Sequence, residues 1–183
     1  MNTVGLPIHC FDADKIEGAI IIRDANEGEL FTDLFGTEHR LQATDLVIAD
    51  EKKVLALAGV IWGLESGITD TTKNILVELA NFDPVVVRKT GTRLWLRTDA
   101  ELRFEKNISP AFSLYALLLF LDELKFYAKD LWNYEIEGIA SYIRPDINPL
   151  EKKLIPTPWN TLQSLIFGAE QPDFQEKATA ILE

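Results

Sequence analysis

Glu78 is a lone carboxylate in an apolar run, Asn74-Ile75-Leu76-Val77-Glu78-Leu79-Ala80. As a strand, this run places Leu76, Glu78 and Ala80 on one face and Ile75, Val77 and Leu79 on the other. A carboxylate with apolar neighbours on both faces is costly to desolvate unless something donates a hydrogen bond to it. An exposed edge, an internal ion pair with an arginine, or a ligand donor would each satisfy it. His9 follows Gly5-Leu6-Pro7-Ile8 and precedes Cys10-Phe11-Asp12. A histidine among apolar residues reads first as a satisfied structural group and second as a catalyst. Cys10 has no identifiable base beside it, so it is expected to be a small buried residue and not a nucleophile.

Leu94–Glu105 interleaves charge with large apolar side chains, including Trp95, Leu96 and Phe104, as a chain does at the edge of a pocket. Over the wider span 88–106, Arg88, Lys89, Arg93, Arg97, Arg103 and Lys106 outnumber Asp99, Glu101 and Glu105. Such a segment either meets phosphate or forms a solvated, salt-bridged face. Gly59, Gly63 and Gly67 do not make a phosphate-binding loop, because no helix start and no lysine follow at the required places.

The chain has 183 residues, 47% hydrophobic and 26% charged, which is enough for one complete domain and part of a second. Its net charge of −11 argues against broad, non-specific nucleic-acid binding. The single cysteine excludes an internal disulfide and fits a reducing cytoplasm. One cysteine and two histidines, His9 and His39, make a structural zinc site improbable, and no metal ligands are assigned. The longest apolar run, Tyr115 to Leu121, is far too short to cross a bilayer, and no secretory leader is visible.

The first half carries strand patterns. Ala19–Arg23 ends in the turn-rich Asp24-Ala25-Asn26-Glu27-Gly28. Leu30–Leu34 and Glu38–Leu41 form a hairpin around Phe35-Gly36-Thr37, and Leu46–Asp50 and Val54–Val60 form another around Glu51-Lys52-Lys53. Asp83-Pro84 starts a helix that runs towards Arg93, with aspartate at the N-cap and proline at the first helical position. Ser109-Pro110 opens a longer helix to about Lys129, apolar nearly all round, which predicts burial against the sheet. Tyr134–Ile143 returns to strand character. The expected fold is α+β, a mixed or antiparallel sheet packed with helices, over 1–143. A proline-rich linker follows at 144–158, then the start of a small helical domain at 159–183, cut at its end.

An ordered series of segments gives a resemblance. They are Gly-Leu-Pro-Ile-His-Cys-Phe-Asp-Ala-Asp-Lys-Ile (5–16), Leu-Val-Ile-Ala-Asp (46–50) and Leu-Ala-Leu-Ala-Gly-Val (55–60). They continue as Glu-Ser-Gly-Ile-Thr (65–69), Asn-Ile-Leu-Val-Glu (74–78), Phe-Asp-Pro (82–84) and Arg-Thr-Asp-Ala-Glu-Leu-Arg-Phe-Glu (97–105). With these segments the chain resembles the β subunit of bacterial phenylalanyl-tRNA synthetase, in the domain that edits mischarged tRNA. The resemblance is nearly gapless from Gly5 to about Lys125, and the tail looks like the opening of the next domain. It implies an N-terminally truncated editing domain without the aminoacylation site, which the family carries on its α subunit.

The resemblance implies hydrolysis of Tyr-tRNA(Phe), because a pocket shaped for phenylalanine rejects one extra hydroxyl imperfectly. Glu78 matches the position that recognises the tyrosine phenol, Thr98 and Ala100 match positions lining the same pocket, and His9 matches a histidine near the ester. A positioned water would cleave, assisted by His9 or by a ribose hydroxyl of the tRNA. The implied partners are tRNA(Phe) and the α subunit, in a cytoplasmic heterotetramer. ATP and magnesium belong to the whole enzyme, and this piece has no cofactor of its own. Trp62 and Trp95 depart from the resemblance, since both stand at family glycine positions. Either Trp62 closes the pocket and leaves a non-catalytic module for assembly and tRNA placement, or both codons are UGA in a lineage that reads UGA as glycine.

Overall fold

The computed structural model describes residues 5–128 and 135–141. The chain divides into two units, Met1–Pro149 and Leu150–Glu183, and every described residue belongs to the first. The expected linker and the expected helical start at 159–183 lie outside the described residues.

Among the described residues eight short strands form three sheets, and every pair is antiparallel. β1 (His9–Asp12) pairs with β8 (Ile75–Glu78) and sets His9 opposite Glu78. A four-stranded sheet runs in the order β2 (Ile21–Asp24), β5 (Leu46–Ala49), β6 (Val54–Leu57), β7 (Ile61–Trp62). β3 (Leu30–Thr32) and β4 (Glu38–Arg40) make the third sheet. Both hairpins expected from the sequence are present. Asp33 locks the turn of the first, with Oδ1 accepting from the amides of Phe35 at 2.9 Å and Thr37 at 3.0 Å. Asp50 does the same for the second, with Oδ1 accepting at 2.8 Å from the amides of both Lys52 and Lys53.

Register assigns the faces of the large sheet. Val47, Leu57 and Ile61 lie opposite one another in turn and are buried in the core. Ile48, Ala56 and Trp62 form the corresponding row on the other face, which lines the cleft described below. Gly59, at φ +70°, turns the chain between β6 and β7. A Cβ there would fall 2.8 Å from Phe82 and 2.9 Å from Val87, so its missing side chain lets the following helix approach.

α1 (Pro84–Leu94) starts as its sequence dictates: Asp83 caps it, accepting from the amides of Val85 at 2.8 Å and Val86 at 3.3 Å. Asp45, directly before β5, anchors this helix. Its carboxylate accepts from Thr90 Oγ1 at 2.8 Å and also from Arg93. α2 (Asp99–Phe104), which the sequence patterns did not reveal, is capped by Thr98, whose Oγ1 accepts from the Glu101 amide at 3.0 Å. Glu101 has capping-box spacing, but its side chain turns inward under α1. A Cβ on Gly91 would come 2.8 Å from Glu101 Cγ, which accounts for glycine inside α1.

Two expectations are corrected. α3 (Phe112–Ala128) is a helix but is not buried: among its described side chains only Ala116 is fully covered. Leu114, Tyr115, Leu118, Phe126 and Tyr127 are each more than half exposed. Phe112 and Leu119 do pack against the core. An apolar periphery states what a helix can bury, and neighbours decide how much it does bury. Residues 135–141 form no strand and are exposed, whereas Tyr134, Tyr142 and Ile143 lie outside the described residues. Alternation supplies two faces, but a strand also needs an edge with which to pair.

Candidate functional site

β1 and β8 bring His9 and Glu78 together beneath the large sheet. His9 Nδ1 lies 3.3 Å from Glu78 Oε2, with side-chain exposures of 6% and 20%. The contact lacks hydrogen-bond alignment, and Glu78 Oε2 and the other ring nitrogen, His9 Nε2, are both buried without a hydrogen-bond partner among the described residues. Buried polar atoms in this condition are uncommon and are a reason to look for a ligand. Glu78 thus stands in none of the arginine pairs that its sequence allowed: the side chain beside its carboxylate is a histidine.

The pair borders a cleft walled by Ile8, Ile48, Ala56, Val60, Phe82, Ala100 and Phe104. Phe82 and Phe104 meet edge to face with centroids 5.1 Å apart, which stiffens one wall. Trp62 also lines the cleft. Its indole stacks on His9 with centroids 4.5 Å apart and planes 13° apart, and the Phe11 ring lies 3.7 Å from the same imidazole, tilted by 38°. With Trp62 so placed the cleft has room for only one or two waters.

The structure therefore gathers His9, Glu78, Trp62 and Ala100 around one cleft. Thr98 is not among the lining residues. Its hydroxyl caps α2 and donates to Val60 O, tying the start of α2 to the wall that Val60 supplies. Ala100 lines the cleft because that cap fixes the first turn of α2. Phe104 belongs to the stretch whose composition suggested a pocket edge, but Ile48, Ala56 and Phe82 carry no such signal, since an apolar residue on a buried wall looks like any other core residue. Only the alternation within β5 and β6 hinted at the faces of Ile48 and Ala56.

Cys10 points to the opposite face of β1 from His9. Burial, and then the Glu78 charge, push its thiol above the ordinary range, which suits an inert thiol and not a nucleophile. Much of the basic segment is neutralised locally. Arg97 reaches Glu101 at 3.3 Å and Glu105 at 3.5 Å, Lys106 reaches Glu105 at 3.0 Å, and Arg93 pairs with Asp45. Burial, with Glu105 nearby and only partly offset by Arg97, raises the Glu101 carboxyl above its usual range. Among the described residues no group of three His, Cys, Asp or Glu side chains could hold a metal ion. No described helix is long and apolar enough to cross a membrane.

An α+β domain with an apolar cleft, one buried histidine and one unpaired carboxylate is the class that fold and site define. The chain belongs to the B3/4 domain family, whose model matches residues 1–129. It is similar to proteins named phenylalanine–tRNA ligase beta subunit. The Bacteroides fragilis protein is 34% identical over 191 aligned positions, covering 99% of this chain and 23% of the relative. The Aquifex aeolicus protein is 51% identical over 104 residues, 57% of this chain and 13% of the relative. The Carboxydothermus hydrogenoformans protein is 49% identical over 105 residues, again 57% of this chain and 13% of the relative. The chain thus spans less than a quarter of the length of these relatives.

Proposed function

We propose that this chain is the editing region of a phenylalanine–tRNA ligase β subunit and that its cleft hydrolyses Tyr-tRNA(Phe). The observation that carries the reading is the Glu78 carboxylate, set in apolar surroundings with Oε2 unpaired beside an unpaired His9 Nε2. A phenol hydroxyl donates to such a carboxylate, whereas a phenyl ring leaves it buried and alone. That difference is worth about 1–3 kcal/mol in favour of tyrosine. Phe82, Phe104 and Ala100 give an aromatic ring its apolar wall. His9, or a ribose hydroxyl of the tRNA, then activates the hydrolytic water, while Thr98 positions Ala100 from behind.

The names of the relatives support the β-subunit part of this reading. Partnership with an α subunit, binding of tRNA(Phe), use of ATP and magnesium in aminoacylation, and a cytoplasmic place in translation belong to the proposal as properties of the whole enzyme.

A second reading has its own observation. The indole of Trp62 covers His9 and leaves no room for a phenol. On that reading the domain is a non-catalytic module for subunit assembly and tRNA placement.

Hydrolysis of Tyr-tRNA(Phe) by the full-length subunit assembled with its α partner tests both. Turnover by the unaltered protein, lost in Glu78→Ala, supports editing. Turnover only after Trp62→Gly supports the closed module, and no turnover in either form ends the hydrolytic reading.

A further inference from the structure

Two tryptophans lie among the described residues, and each occupies a place that suits an indole badly. Trp95 ends α1 in the left-handed region, at φ 57° and ψ 33°. Its amide donates to Thr92 O at 3.3 Å, and the next amide, that of Leu96, donates to Gly91 O at 2.9 Å. These two bonds, with a left-handed residue between them, are the Schellman helix ending. The seat favours glycine, because a Cβ in this conformation crowds the following carbonyl. Asparagine tolerates the same region, as Asn107 does at φ 59°, but a bulky aromatic there is an outlier. No packing offsets the strain, because Trp95 is 91% exposed.

Trp62 has the opposite fault. Its indole lies flat on His9 in a cleft that keeps room for only one or two waters beside the two unpaired polar atoms, His9 Nε2 and Glu78 Oε2. The indole packs on the imidazole but gives neither atom a hydrogen bond, so their desolvation stays uncompensated. Glycine at position 62 would return both atoms to an open cleft.

One change, tryptophan to glycine, removes both faults. UGA differs from UGG only in its third base, and UGA is a triplet whose meaning differs between genetic codes. A UGA codon written as tryptophan but read as glycine by the cell's own ribosomes would give this pair of misfits. We propose that positions 62 and 95 are UGA codons decoded as glycine, so that the protein made in its own cell has an open cleft and an unstrained α1 ending. The proposal concerns which residues the protein carries, so its failure is separable from failure of the editing reading, which only turnover decides.

The test is the coding triplet at each position, together with the mass of the peptides spanning residues 62 and 95 in protein purified from its own cells. UGA at both positions and glycine in both peptides is the expected result. UGG at either position, or an indole in either peptide, overturns the proposal. A second measurement uses the recombinant chain. Trp95→Gly is expected to melt several degrees higher than the chain with tryptophan. A melting temperature that does not rise overturns the structural argument for glycine at the α1 ending.

Discussion

His9 and Glu78 face each other across the β1–β8 ladder, with Nδ1 3.3 Å from Oε2 and no aligned hydrogen bond between them. The strand pairing itself creates the pair, since neither residue has a sequence neighbour that could hold it there. The ladder leaves one nitrogen and one oxygen for a third party. Changing Glu78 should therefore affect selectivity more than folding. Glu78→Gln is expected to keep the fold and reduce the preference for tyrosyl over phenylalanyl esters by about 1–3 kcal/mol. Competition between the two charged tRNAs measures it, and an unchanged ratio would remove Glu78 from recognition.

Gly59 sets the distance between the β6–β7 turn and α1. Gly59→Ala places a methyl group 2.8 Å from Phe82 and 2.9 Å from Val87, at φ +70°. A loss of about 2–4 kcal/mol of unfolding free energy is expected from the overpacking and the backbone conformation together. Urea denaturation measures it. A loss below about 1 kcal/mol would show that the turn relaxes freely.

Acid should weaken the fold through the carboxylates that close its hairpins. Burial alone would raise the Asp33 carboxyl. The His39 imidazole and the amides of Thr37 and Phe35 more than offset this and hold it below the ordinary range. Asp50 is held low in the same way by the amides of Glu17, Lys52 and Lys53. A lowered folded pKa contributes stability that is present above the unfolded value and lost as pH falls towards the folded one. Stability should thus fall below about pH 4. Asp33→Asn should lower stability at neutral pH and flatten that fall, as urea midpoints at several pH values would show. An equally steep fall in the variant would assign the acid sensitivity elsewhere.

Glu101 works in the opposite direction and in a different window. Its folded pKa is raised, chiefly by burial. Between the unfolded and folded values the native state holds a proton that the unfolded chain has released, so stability declines as pH rises through this window. Glu101→Gln should remove the decline from about pH 4.5 upward and leave the acid-side loss in place. A variant that declines as steeply as the native chain would show that Glu101 is not the source.

Truncating the α1 cap tests the local part of the fold. Asp83→Ala leaves the amides of Val85 and Val86 without their acceptor, and a loss of about 1 kcal/mol is expected. Asp83→Asn should recover most of it, measured by thermal melting of the two variants side by side.

Features decided within a few residues could be read directly from the sequence. Asp83-Pro84 starts α1, and the turns at Phe35-Gly36-Thr37 and Glu51-Lys52-Lys53 join paired strands, because caps and turns satisfy their own backbone groups locally. The ordered segments from Gly5 to Glu105 also sufficed to indicate the family, and the β alternation around Glu78 singled out its carboxylate.

The tertiary structure decided everything that depends on a partner distant in sequence. It determined that His9, and no arginine, stands beside Glu78, because register alone sets which residues of β1 and β8 meet. It left α3 largely uncovered and gave residues 135–141 no strand partner, although both segments carry apolar patterns. It put Trp62 over His9 and Trp95 in a left-handed helix ending, since stacking and backbone angle both arise only once the chain has folded. An apolar pattern records what a segment can bury, whereas burial itself is a property of two surfaces in contact.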